Sequence, residues 1–137
     1  MRYDRTVHLD ADFATAVART RDALVAQGFG ILTEIDVTAT LKTKLGRDAA
    51  DFEDYVILGA CNPQLAHRAL ETDRSIGLLL PCNVVVRADG DHTVVQALDP
   101  NTMVALTGLD ALHPVAEEAA RRLDAALAAL TTTDADG

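Results

Sequence analysis

Tryptophan is absent, and three Phe and two Tyr hold the aromatic share of the 137 residues to 4%. A stacking platform for bases or sugars is therefore not expected. Ser75 is the only serine, and no glycine precedes it at nucleophile-elbow spacing. Basic residues are also scarce, 12 against 21 acids, for a formal charge of −9. Only Lys42-Thr43-Lys44 and Arg121-Arg122 approach a basic patch, and both sit in helical patterns. With no source of counterion release, a nucleic-acid partner is excluded. Long apolar runs are missing: a stretch such as Ile76 to Pro81 is far too short to span a bilayer, so no membrane association is expected. No apolar segment follows Met1-Arg2-Tyr3-Asp4-Arg5, so no signal peptide is expected. Gly28-Phe29-Gly30 lacks the third glycine of a dinucleotide fingerprint and precedes a strand pattern. His8, His67, His92 and His113 are scattered, with no HxxxH or HExxH pattern. Two cysteines allow one bridge at most, which points to a cytoplasmic protein with reduced thiols.

What is present is an aliphatic core composition, 49% apolar, over a length that suits one domain. The expected domain covers residues 1–130, followed by a frayed polar tail over 131–137. Residues 2–9 read as a first strand. Asp10 is placed to cap a helix over Ala11 to Gln27, with Phe13, Val17, Leu24 and Val25 as its stripe and Gly28 as its stop. Alternation over Phe29 to Ile35 predicts a strand with Phe29, Ile31, Thr33 and Ile35 on one side and Glu34 on the other. Asp36 is set to cap a short helix that Gly46 stops, and Arg47 to Asp54 is a polar connection. Tyr55 to Ala60 is a strand and Pro63 to Glu71 a helix. Leu78 to Arg87 and His92 to Leu98 form a hairpin around Asp89-Gly90. A two-residue turn there puts Asn83 opposite Gln96 and Cys82 opposite Ala97. Thr102 to Leu106 reads as a short strand. Pro114 to Leu130 is the last helix, with Ala116, Ala119, Leu123, Leu127 and Leu130 as its stripe. This order predicts an α+β fold, a largely antiparallel sheet covered by two long helices.

The chemistry-bearing residues centre on Gly59-Ala60-Cys61-Asn62-Pro63, echoed by Leu80-Pro81-Cys82-Asn83-Val84. Asn62 suits an N-cap and Pro63 the first helical position. Cys61 then stands beside a helix N-terminus, where the dipole favours a thiolate and a pKa below the free value of about 8.5. The competing reading is a small hydrophobe at a strand end, and for Cys82, on a valine-rich face, an inert core role. A shared metal site through Cys61 and Cys82 requires their strands to be neighbours. Glu34, Asp36 and Lys42 form a second cluster. There Asp36 serves as a cap, and Lys42 is either helix surface or a partner for an anion.

Taken together, Gly28-Phe29-Gly30-Ile31-Leu32-Thr33-Glu34-Ile35-Asp36-Val37, Thr40-Leu41-Lys42 and Tyr55 through Pro63 resemble the family known as domain of unknown function 302. Ala66-His67-Arg68-Ala69-Leu70, Gly77 through Val84 and Asp99-Pro100 through Met103 resemble it as well. The resemblance implies a β-α-β(4)-α arrangement similar in outline to the TATA-binding-protein-like fold, often paired as homodimers. It implies no established activity and no cofactor, and fold alone gives no function. It marks Glu34, Lys42, Cys61, Asn62, Cys82 and Asn83 as ligand-binding candidates, since packing does not explain them. Three readings follow. The first is a protein that binds a small ligand or metal ion near Cys61. The second is a thiol-dependent redox protein or enzyme using Cys61 as nucleophile and Cys82 as resolving thiol. The third is a structural or assembly protein with inert core cysteines.

Overall fold

Five runs rich in Val, Ile, Leu and Thr become five strands, and the computed structural model describes residues 3–46 and 53–136. In chain order these are β1 (Asp4–Leu9), α1 (Phe13–Ala26), β2 (Gly30–Asp36), α2 (Val37–Leu45), β3 (Tyr55–Cys61) and α3 (Pro63–Thr72). They continue as β4 (Cys82–Asp89), β5 (His92–Leu98), α4 (Asn101–Thr107) and α5 (His113–Asp136). Most of the expected connection at 47–54 lies outside the described residues. All strand pairs are antiparallel, in the order β1-β5-β4-β3-β2. The fold is α+β, with α1 and α5 packed together on one face of the sheet.

That face is dictated by strand parity. Leu58, Val84, Val86, Val95 and Ala97 point inward and are buried with Leu24 of α1 and Leu123 and Leu127 of α5. The whole expected stripe of α5 is buried, Ala116, Ala119, Leu123, Leu127 and Leu130 included. Each fully buried leucine contributes about 1.5–3 kcal/mol. Arg5 ties β1 to α5 through both carboxylate oxygens of Asp124. A second core gathers Leu65 and Ala69 of α3, Ile76, Met103 of α4, and Leu112, Val115, Ala116 and Ala119 at the start of α5.

Several expected details are corrected. Asp12, not Asp10, caps α1, its side chain accepting from the Thr15 N–H. Val25 is exposed, whereas Phe13, Val17 and Leu24 pack on the core as expected, with Ala16 and Thr20 buried beside them. A bulge between Ile31 and Thr33 reverses the alternation of β2. Glu34 therefore shares the helix-covered side with Leu58, and Ile35 turns to the other face beside Ile57. The hairpin loop is Gly90-Asp91, because Asp89 pairs with His92 and Gly90 supplies a φ of +65° at the first loop position. Val84 thus meets Ala97, and Val85 meets Gln96. The offset is two residues, so the face carrying Cys82, Val84 and Val86 is unchanged.

Residues Arg74–Leu79 wind into a 3-10 turn instead of beginning β4, which starts only after Pro81. The segment read as a strand from Thr102 to Leu106 is α4. The Asp99 side chain accepts from the Asn101 N–H at 2.9 Å, Pro100 is helical, and Gly108 closes the helix at φ +69°. The last helix, α5, is bounded by His113 and Asp136. Among the described residues no helix is long and apolar enough to cross a membrane.

Candidate functional site

The junction between the two cores is built by the end of β3. Asn62 leaves the strand at φ −96°, ψ 111°, and its Oδ1 accepts from the Leu65 N–H at 3.1 Å, with Pro63 in the first turn of α3. Asn62 is itself buried. Gly28, at φ +88°, lets the next layer come close. A Cβ there would lie 2.8 Å from Arg122 Nη1 and 3.1 Å from Asn62 Nδ2. Arg122 donates to the Gln27 carbonyl at 3.1 Å and to Glu118 at 3.0 Å. That hydrogen bond holds the Glu118 carboxyl below its usual range. Gly28 thus serves more than the stop of α1: its bare backbone seats Arg122 against the cap of α3.

Both cysteines line the space beside this cap. Cys82 pairs across the β3/β4 ladder with Ala60, one residue before Cys61, so the strands are neighbours. The two thiols are free and half-buried, and they line one cavity with Phe29, Leu65, Leu80 and Met103. Its volume is about 20 Å³, room for one water-sized occupant. Burial pushes the Cys61 thiol up. Burial pushes Cys82 further, to about 11, and a charge on Cys61 adds to the rise. This corrects the expectation of a lowered Cys61 pKa. The Asn62 Oδ1 already accepts from the Leu65 N–H, and apolar walls line the cavity at the half-buried thiol, so desolvation outweighs the helix terminus.

The other expected residues lie elsewhere. Asn83 follows Cys82 on β4 and so points to the second face, where it lines a shallow cleft with Tyr3, Tyr55, Val85 and Gln96. Glu34 is ion-paired with Arg21 of α1 at 2.5 Å. Asp36 caps α2 by accepting from the Ala39 N–H at 2.9 Å, and Lys42 is exposed on that helix. The structure therefore brings Cys61, Asn62 and Cys82 together and leaves Glu34, Lys42 and Asn83 apart. Phe29 and Met103, which lie in the family-like stretches but not among the expected site residues, complete the cavity. The signal for Met103 is its place just after Asp99-Pro100, on a segment whose pattern suits a strand but which forms α4. Among the described residues no three His, Cys, Asp or Glu side chains form a ready metal cage.

The family model for the domain of unknown function DUF302 matches residues 5–130. The chain belongs to this family. A crystal structure of an uncharacterized conserved DUF302 protein from Bacillus stearothermophilus superposes with a TM-score of 0.86 at 30% identity, covering 95% of this chain and 99% of that one. No curated protein matches the chain. The DUF302 match spans the cavity, both cysteines, β2 through β5 and all of β1 but its first residue.

Proposed function

We propose that this DUF302 protein binds a small occupant, a soft metal ion before any other, in the cavity between Cys61 and Cys82. One observation carries the reading: the only two cysteines of the chain line the same small cavity, and Met103 adds a thioether to its wall. Thiolate and thioether sulfurs select ions such as Cu(I) or Ag(I). High thiol pKa values do not prevent this, because a soft ion displaces the protons as it binds. The volume suits a single ion better than an organic substrate. Asn62 then acts as the anchor that fixes Cys61 at the cavity rim. Titration with Ag(I) is expected to show one ion bound and two protons released per chain. Cys61→Ser and Cys82→Ser should each abolish it; uptake unchanged in both variants refutes the reading.

The redox alternative draws on the same adjacency, with Cys61 as nucleophile and Cys82 as resolving thiol. Two raised thiol pKa values weigh against it, since the thiolate is the attacking form. Rapid formation of a Cys61–Cys82 disulfide with peroxide would favour it over metal binding. If neither ion nor peroxide reaches the thiols, the cysteines are inert core. A cytoplasmic setting fits two free thiols.

The chain is further proposed to pair as a homodimer through β2 and α2. β2 is a sheet edge with Leu32 66% and Ile35 48% exposed, and α2 buries none of its residues. An edge of this kind is a template for pairing. Light scattering is expected to give twice the 14.6 kDa chain mass. A Leu32→Lys, Ile35→Lys double variant is expected to return it to one chain.

A further inference from the structure

The second face of the sheet brings together two histidines 84 residues apart in sequence. His8 stands opposite Val94, and His92 lies two positions from Val94 on β5, so both imidazoles project from one face. Asp89 pairs with His92 across the hairpin and shares that face. Three neighbouring strands, β1, β5 and β4, thus each present one donor, above a fully buried Val94.

His8 Nδ1 and His92 Nε2 stand 3.4 Å apart, with ring centroids separated by 5.4 Å. The same His92 Nε2 lies 3.4 Å from Asp89 Oδ2. On the other side of the ring, His92 Nδ1 lies 3.4 Å from Asp91 Oδ1. Each ring nitrogen of His92 thus has a carboxylate oxygen 3.4 Å away, and Nε2 also faces His8 Nδ1. Metal-ligating histidines are oriented by this kind of carboxylate contact. The spacing carries a second message. Two nitrogens each about 2.0–2.1 Å from a tetrahedral ion are about 3.3–3.4 Å apart.

We propose that His8 and His92 bind a borderline divalent transition ion, Zn²⁺ or Ni²⁺, with Asp89 beside them and water filling the remaining positions. This is an imidazole pair with an adjacent carboxylate, not a preformed cage. Imidazole donors suit these ions, whereas the sulfur-lined cavity selects softer ones. The formal charge of −9 favours cation capture.

Calorimetry on the full chain with ZnCl₂ and with NiCl₂ tests the site. One ion is expected to bind the unchanged chain and the Cys61→Ser, Cys82→Ser double variant alike. His8→Ala and His92→Ala are each expected to weaken binding about tenfold or more. Circular dichroism checks that both variants fold. Paramagnetic Ni²⁺ is expected to broaden the ring signals of His8 and His92 before those of His67 and His113. Uptake of neither ion, binding that survives both histidine changes, or broadening centred on His67 or His113 overturns the proposal. So does loss of binding in the cysteine variant alone, which leaves the soft-metal reading of the cavity standing.

Discussion

Cys82 is paired with Ala60 across the β3/β4 ladder, which places it one residue out of step with Cys61 and against the same cavity. Neither thiol is activated there, since burial raises both. Iodoacetamide at neutral pH is therefore expected to modify both cysteines more slowly than a free thiol. Cys61 should react first as the pH rises, and Cys82 only as it approaches about 11. Mass spectrometry of quenched samples from single Cys→Ser variants assigns the sites. Preferential alkylation of Cys61 at neutral pH would show that the helix terminus outweighs burial.

The same displacement makes stability depend on alkaline pH. A folded-state thiol near 11 holds its proton where the unfolded thiol, near 9, has lost it. The unfolded state then binds fewer protons, and stability falls as pH rises through that window. The full difference corresponds to roughly 2–3 kcal/mol. Urea midpoints measured between neutral pH and pH 11 should decline, and Cys82→Ala should flatten the decline. An unchanged slope in that variant would assign it to other groups.

The outline of this fold was legible because α5 and β4 carry unambiguous periods: every residue of the expected α5 stripe is buried, and Val84 and Val86 face the core. What stayed hidden depended on contacts between distant segments. The bulge at Ile31/Thr33 reverses the face of Glu34, and only pairing with β3 reveals it. The Asp99-Pro100 pair reads as the end of a strand, yet the Asp99 side chain and Pro100 start α4 and carry Met103 to the cavity. For the site, local spacing sufficed for Cys61, Asn62 and Pro63. It did not suffice for Asn83, grouped with Cys82 by sequence proximity although adjacent strand residues point to opposite faces. The direction of the thiol pKa is hidden for a related reason: the helix end is visible in sequence, whereas the apolar walls come from Phe29, Leu80 and Met103.

Asn62 links the strand end to the helix that walls the cavity. Asn62→Ala removes the acceptor for the Leu65 N–H and leaves that donor unsatisfied in a buried setting. A loss of about 1 kcal/mol is expected, with Tm lower by roughly 3–5 °C. Asn62→Asp retains the acceptor and should recover part of the loss. Calorimetric melts of the two variants decide; equal destabilisation in both would mean that the Asn62 amide group near Gly28, not the cap, carries the effect.

Gly59 sits where β2, β3 and the approach to β4 converge, and its missing side chain is a packing requirement. A Cβ there would collide with Thr33 Oγ1 and lie 3.0 Å from Pro81 Cγ. Thr33 is β-branched and restricted in χ1, and Pro81 is locked in a ring, so neither yields freely. Gly59→Ala is expected to destabilise by about 1–3 kcal/mol, although alanine lowers the entropy of the unfolded chain. Thr33→Ala should rescue part of this loss, because Thr33 Cβ, at 3.5 Å, is in ordinary contact with the new methyl. The cycle of single and double variants in urea isolates the coupling. Strict additivity would show that Pro81 alone sets the limit at Gly59, and a neutral Gly59→Ala would show that the β2 edge gives way to accommodate it.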